Sequence, residues 1–202
     1  MAEDPRAGLS AEASAKVELV VRTLKEAAAA HERMAANVES VVAVVDAITR
    51  ALKQGGSVLV FGNGGSAADA QHFAAELVGR YEKERKAWPA IALTTDTSAL
   101  TAIANDFGFD RVFARQLEAL GKKGDVAIGI STSGTSPNVL RALETGNERG
   151  LITVALTGRG GDAGKIASLH VRVDEERTAR VQEVHATLLH VICALVEKEL
   201  SA

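Results

Sequence analysis

The stretch from Val58 to Arg80, VLVFGNGGSAADAQHFAAELVGR, constrains the fold more than any other part of this chain. Val58 to Phe61 is a short apolar run with β-branched and aromatic members, long enough for a buried strand. Gly62-Asn63-Gly64-Gly65 follows at once, a turn in which the glycines leave backbone N–H groups uncovered. Ser66 stands where a helix cap is expected, and the alanine-rich run behind it is a strong helix former. Strand, glycine turn and helix in that order present free amides and a positive helix end to an anion. Further along, His72 and Glu76 are four residues apart and project from one helix face. Plainer readings stand beside these: the turn can be geometry alone, and the His72/Glu76 pair a solvated face. Gly62-x-Gly64-x-x-Ala67 also matches the dinucleotide fingerprint, which accepts alanine at its third position.

The flanking chain sets the context. The first ten residues read as frayed. From Ser10, a candidate cap, Val17, Leu19, Val20, Val21 and Leu24 recur at helical spacing. A second helix is expected over Asn37–Gln54, with Val41, Val42, Val44, Val45, Ile48 and Leu52 on a broad apolar face and Gly55-Gly56 as its stop. Two amphipathic helices ahead of the first strand carry more apolar surface than a small sheet needs; such surface packs on the domain or on another subunit, and a subunit contact is the expectation here. After the organising stretch come a strand at Pro89–Thr94, a helix at Thr97–Ala104, a loop at Asn105–Gly108 and a helix at Arg111–Leu120. Further strands are expected at Asp125–Ser131, Leu151–Leu156 and Leu169–Val173, a helix ending at Glu148, and a last helix over Ala179–Leu200. Apolar strands alternating with helices imply a parallel sheet covered on both faces, with ligands beyond the carboxyl ends of the strands. The polar loops at Asn63 and at Ser131–Ser136 each follow a strand directly, so both open at that edge.

Composition narrows the classes. The 202 residues read as a single domain with 47% apolar content, enough for a full core. Net charge is −3 with both signs interspersed, which gives no polybasic surface for nucleic acid or membrane. Cys193 is the sole cysteine, so no internal disulfide can form, and a reducing, cytoplasmic setting is expected. The start of the chain lacks the order of a secretory signal, and no run reads as the ~20 apolar residues of a membrane span.

The loop STSGTS is a second anion candidate. Ser131, Thr132, Ser133, Thr135 and Ser136 offer hydroxyls, Gly134 frees the backbone, and Pro137 suits the first turn of a helix. Alone it reads more readily as a serine-rich capping turn. Two such loops at one sheet edge favour a small phosphorylated ligand over a dinucleotide. The acidic residue that would hold an adenosine ribose has only Asp96 as a candidate, well beyond the usual spacing of ~20 residues.

GNGGSAADAQHFAAELVGRY, AIANDFGF, GDVAIGISTSGTSPNV, ITVALTG and RVQEVHATLLH together resemble the sugar isomerase (SIS) family, and within it the phosphoheptose isomerases. The resemblance covers nearly the whole chain. It implies a three-layer αβα sandwich around a five-stranded parallel sheet, in one SIS domain with N-terminal helices over 1–55 and an α/β core over 56–202. It implies interconversion of D-sedoheptulose 7-phosphate and D-glycero-D-manno-heptose 7-phosphate, the entry step to nucleotide-activated heptoses. It also implies one zinc ion per site and a homotetramer. By position, the family's metal ligands match His72, Glu76, Gln182 and His190, with Glu76 and His190 the acid/base pair. Its substrate contacts match Asn63, Gly64, Gly65, Glu76, Asn105, Asp106, Ser131, Thr132, Ser133, Ser136 and Gln182.

Those residue types suit the chemistry. Aldose–ketose exchange through an enediol needs a base near carbon and a proton carrier near oxygen, roles a carboxylate and an imidazole can fill. Nitrogen and oxygen donors of this kind are acceptable to zinc. Gln182 and His190 are eight residues apart, ~12 Å along one helix, so they predict a metal site completed across a subunit interface. His170 and His185 read as core histidines, and Arg80 as either a ligand contact or a surface ion pair. The alternative is a non-enzymatic SIS-fold protein that associates with the replication initiator. That relative lacks the groups matching Glu76 and His190, both present here. A sugar-phosphate-sensing regulator would add a DNA-binding segment, which the short, non-basic N-terminus does not offer.

Overall fold

A computed structural model describes residues 10–201; the frayed start expected before Ser10 lies outside them. Five strands, β1 (Val58–Gly62), β2 (Ala90–Ala92), β3 (Val126–Ser131), β4 (Ile152–Thr157) and β5 (Leu169–Arg172), form one parallel sheet in the order β2-β1-β3-β4-β5. Among the described residues, eight α-helices surround it: α1 (Ala11–Ala35), α2 (Glu39–Lys53), α3 (Gly65–Val78), α4 (Thr97–Phe107), α5 (Ala114–Leu120), α6 (Pro137–Glu148), α7 (Ala163–Ile166) and α8 (Thr178–Leu200).

β1 and β3 are buried at every position, the signature of strands covered on both faces. Their side chains still divide with the period of a strand. Val58, Val60, Val126, Ile128 and Ile130 pack with α2, α3 and α8, whereas Leu59, Phe61 and Ala127 pack with α5 and α6. The chain steps from β1 out to β2 and then returns to lay β3 on the other side of β1. That reversal opens a crevice beyond the carboxyl ends of β1 and β3, where open α/β sheets bind ligands.

The two N-terminal helices behave differently. α2 spends its apolar face inside the domain: Val41, Val44, Val45 and Ile48 are buried in the main core. Val42 of the expected face stays exposed, but most of that face is spent inside the domain and is not left for a subunit contact as expected. α1 buries only Ala30 and Met34 and leaves Leu19, Val20 and Leu24 exposed. Polar contacts join it to α8 and the segment before it: His31 to Thr187 (2.9 Å), Arg33 to Glu175 (2.6 Å), Arg177 to Glu26, and Arg180 Nη1 to the Thr23 carbonyl (2.8 Å).

Four local readings need correction. Ser66 is not the cap of α3; Gly64 is, because the chain turns into the helix earlier and the Gly64 carbonyl already accepts from Ala67 and Ala68. Asn105 and Asp106 sit in the last turn of α4, not in a loop, since Gly108 at φ 91 is the first residue that stops the helix. The helix expected over Arg111–Leu120 divides into a 3₁₀ turn at Phe109–Arg111 and α5. Finally, among the described residues α8 alone is long and apolar enough to cross a membrane, although no such run was expected. Half of that apolar window is buried inside the fold, as in a core helix.

Candidate active site

Three helix N-termini meet beyond β1 and β3. Gly65 opens α3, Ser136 caps α6 and Thr178 opens α8, and all three line one cavity of about 270 Å³. Among the described residues, no charged side chain lines it. Each helix end contributes partial positive charge and backbone N–H groups without helical partners. The glycines make the approach possible. Gly64 has φ 55, a region that side-chain-bearing residues rarely adopt, and a Cβ on Gly65 would lie 2.3 Å from Gln182 Nε2. Gln182 therefore rests directly on the glycine turn.

Hydroxyls build the facing wall. Ser131, Thr132 and Ser136 line the cavity, with Ser131 Oγ 3.0 Å from Ser136 Oγ. Ser136 holds the cap position of α6 but makes no side-chain capping bond, so its hydroxyl remains available to a ligand. Ser133 is exposed and does not line the cavity; its hydroxyl accepts from Thr135 N (3.2 Å) and Thr135 Oγ1 (3.0 Å) and lies 3.4 Å from Ser131 Oγ. Asn63 lines the cavity and pairs with Asn138 through two reciprocal amide bonds of 2.9 Å. This pair ties the loop after β1 to the first turn of α6, and the sequence offers no signal for it.

A second cluster lies along α3 and α8, outside the residues that line the cavity. His72 Nε2 is 2.8 Å from His190 Nε2, with the rings edge to face, and 3.6 Å from Glu76 Oε1. Tyr81 stacks on the other side of this group, its ring centroid 6.0 Å from that of His190 at 29°. Asp69, one turn before His72, has one buried carboxylate oxygen without a partner. Burial pushes its carboxyl up, and the neighbouring His72 draws it part of the way back. Neither Tyr81 nor Asp69 was singled out from sequence.

The remaining candidates are dispersed. Asn105 and Asp106 are exposed on α4, bonded to each other at 2.7 Å, and do not line the cavity. Arg80 is exposed and reaches only the Glu82 carbonyl, at 3.4 Å. His185 is fully buried, faces the Thr157 carbonyl at 3.2 Å and is pushed down by burial to about 4. His170 meets Thr157 Oγ1 at 2.8 Å, and burial lowers it as well.

The donor chemistry is compatible with a metal. The two imidazole nitrogens face each other at 2.8 Å, and a cation that parted them would meet nitrogen donors with a carboxylate beside them. Within one chain the set is incomplete: among the described residues, no three His, Cys, Asp or Glu side chains form a group able to hold an ion. Gln182 lies against Gly65, about 12 Å along α8 from His190.

The fold and its two-loop crevice define a sugar isomerase domain, and the chain matches the SIS domain family over residues 23–158. Within that class the chain belongs to the phosphoheptose isomerase family. It is 58% identical over 161 residues to phosphoheptose isomerase of Geobacter metallireducens, covering 79% of this chain and 85% of the relative. Phosphoheptose isomerase GmhA of Neisseria gonorrhoeae superposes with a TM-score of 0.83 at 45% identity, covering 90% of this chain and 98% of that one. The enzyme from Francisella tularensis gives 0.87 at 34% identity, covering 91% and 98%. Nothing in these relatives supports the non-enzymatic alternative.

Proposed function

We propose that this chain is an aldose–ketose isomerase that interconverts D-sedoheptulose 7-phosphate and D-glycero-D-manno-heptose 7-phosphate. One observation carries the reading: an uncharged cavity ringed by three helix N-termini and serine hydroxyls, in a member of the phosphoheptose isomerase family. A phosphate dianion finds there hydrogen-bond donors and positive helix ends without needing a lysine.

In the ketose-to-aldose direction a base takes a proton from C1, the electrons form the C1–C2 double bond, and the C2 oxygen gains a proton. The proton then returns to C2 while the C1 hydroxyl gives up its own and becomes the aldehyde. We assign the carbon proton to Glu76 and the oxygen protons to His190. His72, Glu76 and His190 would hold a zinc ion only once Gln182 completes the set, and the ion would polarise the carbonyl. Gln182 then enters from a second copy of the chain, in a homotetramer whose sites lie between subunits. The ~12 Å between Gln182 and His190 on one helix and the exposed Leu19, Val20 and Leu24 of α1 support that arrangement. A reducing cytoplasm suits the lone, buried thiol of Cys193. The test is direct: purified protein is given sedoheptulose 7-phosphate, and the aldose phosphate is followed by NMR. Formation of the heptose supports the reading; an unchanged ketose would remove it.

A further inference from the structure

The segment between α3 and β2 is fastened by a buried ion pair that the proposed chemistry does not use. Arg85 and Glu197 meet at 3.2 Å, with side chains only 5% and 3% exposed. A buried pair is costly unless its other donors and acceptors are also satisfied, and here nearly all of them are. Glu197 accepts from the backbone N–H groups of Tyr81 (3.3 Å), Glu82 (3.0 Å) and Lys83 (2.8 Å). Arg85 donates from Nη2 to the Glu76 carbonyl (2.7 Å) and from Nη1 to the carbonyls of Leu77 (2.9 Å), Gly79 (3.2 Å) and Lys86 (3.0 Å). Its guanidinium also lies 3.6 Å from the centre of the Trp88 ring.

Each partner holds a different side of the His72–Glu76–His190 cluster. Arg85 caps the carbonyl end of α3 at the backbone of Glu76 itself, where a cation is favoured. Glu197 stands seven residues, about two turns, beyond His190 on α8 and grips the backbone of the residue that stacks on His190. The pair therefore spans the two helices that bring the carboxylate and the imidazole together. Tyr81 supplies a flat surface against the His190 ring.

We propose that Arg85, Glu197 and Tyr81 are positioning residues: the ion pair fixes the strap over residues 79–87 so that Tyr81 holds the His190 ring against His72, which in turn meets Glu76. The inference rests on the isomerase reading for its kinetic consequence and on geometry alone for its structural one. In Glu197→Gln the charge is lost and an amide NH₂ replaces one oxygen, facing two N–H donors, so the strap loosens while shape is kept. Tyr81→Ala removes the stacking surface together with the ring's packing against the main core, both of which Tyr81→Phe keeps.

The experiment combines a kinetic and a spectroscopic readout on the intact protein. With sedoheptulose 7-phosphate, Tyr81→Ala and Glu197→Gln are expected to lower kcat about 10- to 100-fold at nearly unchanged KM, since misplacing a catalytic group by about an ångström costs up to ~10²-fold. Tyr81→Phe, which keeps the ring, is expected to restore kcat. In protein carrying 13C-labelled histidine, the His190 ring signals should shift and broaden in Tyr81→Ala and recover in Tyr81→Phe. Wild-type kcat in Tyr81→Ala, or His190 signals identical to wild type, would overturn the proposal. A Tyr81→Phe loss as large as that of Tyr81→Ala would also overturn it, by giving the hydroxyl a chemical role. Should Glu197→Gln fail to fold, Tyr81→Ala still decides. If wild-type protein does not isomerise the sugar, the functional reading fails, and the histidine signals still test the positioning by themselves.

Discussion

Ser136 shows how a residue is released for function by what it does not do. It occupies a cap position, where serine ordinarily bonds to the helix N–H groups, yet its hydroxyl faces Ser131 and the cavity. Ser136→Ala should therefore raise KM more than it disturbs the fold, because a hydrogen bond to a charged group is worth roughly 1.5–3 kcal/mol. Steady-state kinetics beside a melting curve checks this, and an unchanged KM would place the phosphate elsewhere. Ser133, equivalent to Ser136 in the sequence, is exposed and bonded to Thr135, so the same change there should matter less. His185 makes a different kind of prediction. Its folded pKa of about 4 lies below the ordinary 6.5, so between these values the unfolded chain binds a proton that the folded chain refuses. Stability should fall as pH drops through the upper value and level off below the lower one, by roughly 2 kcal/mol between about pH 8 and pH 5. Urea unfolding at both pH values, compared with His185→Gln, isolates this share; an equal drop in the variant would assign it to other groups. The types of these residues were legible in the sequence, but their states were not, because burial and hydroxyl direction depend on chain segments far away.

Among the elements, strand, glycine turn and helix were read correctly from Val58 to Val78 because periodicity and glycine are local signals. Local signals fail where tertiary contacts decide. α4 runs on through Asn105 and Asp106, both weak helix formers, until Gly108 breaks it. The one turn of α7 is too short to show a period. No local pattern could have announced the Asn63–Asn138 amide pair, whose members are separated by 75 residues. That pair fastens the glycine turn to α6, and removing it should loosen both walls of the cavity together. Asn138→Ala is expected to lower kcat/KM through KM and to cost about 1–3 kcal/mol, since Asn63 is left without its partner. Equilibrium unfolding and kinetics on one preparation test the two halves, and a loss of stability without a change in KM would confine the pair to a structural role.

For the molecule as a whole, the parallel sheet was legible because the apolar runs are nearly continuous, and its switch point follows from strand order. The sequence overestimated the surface left over by the N-terminal helices, since α2 is consumed by its own core and only α1 presents a free apolar stretch. Nor could it show that His72, Glu76 and His190, spread over 119 positions, gather at a place distinct from the phosphate-suited cavity. The central claim is that Glu76 carries the proton between C1 and C2. Isomerisation of sedoheptulose 7-phosphate in D₂O, followed by NMR, measures it most directly. Wild-type protein should introduce solvent deuterium at the carbon beside the carbonyl, and Glu76→Gln should slow that exchange by at least about 10²-fold while remaining folded. Exchange at the wild-type rate in Glu76→Gln would contradict the account.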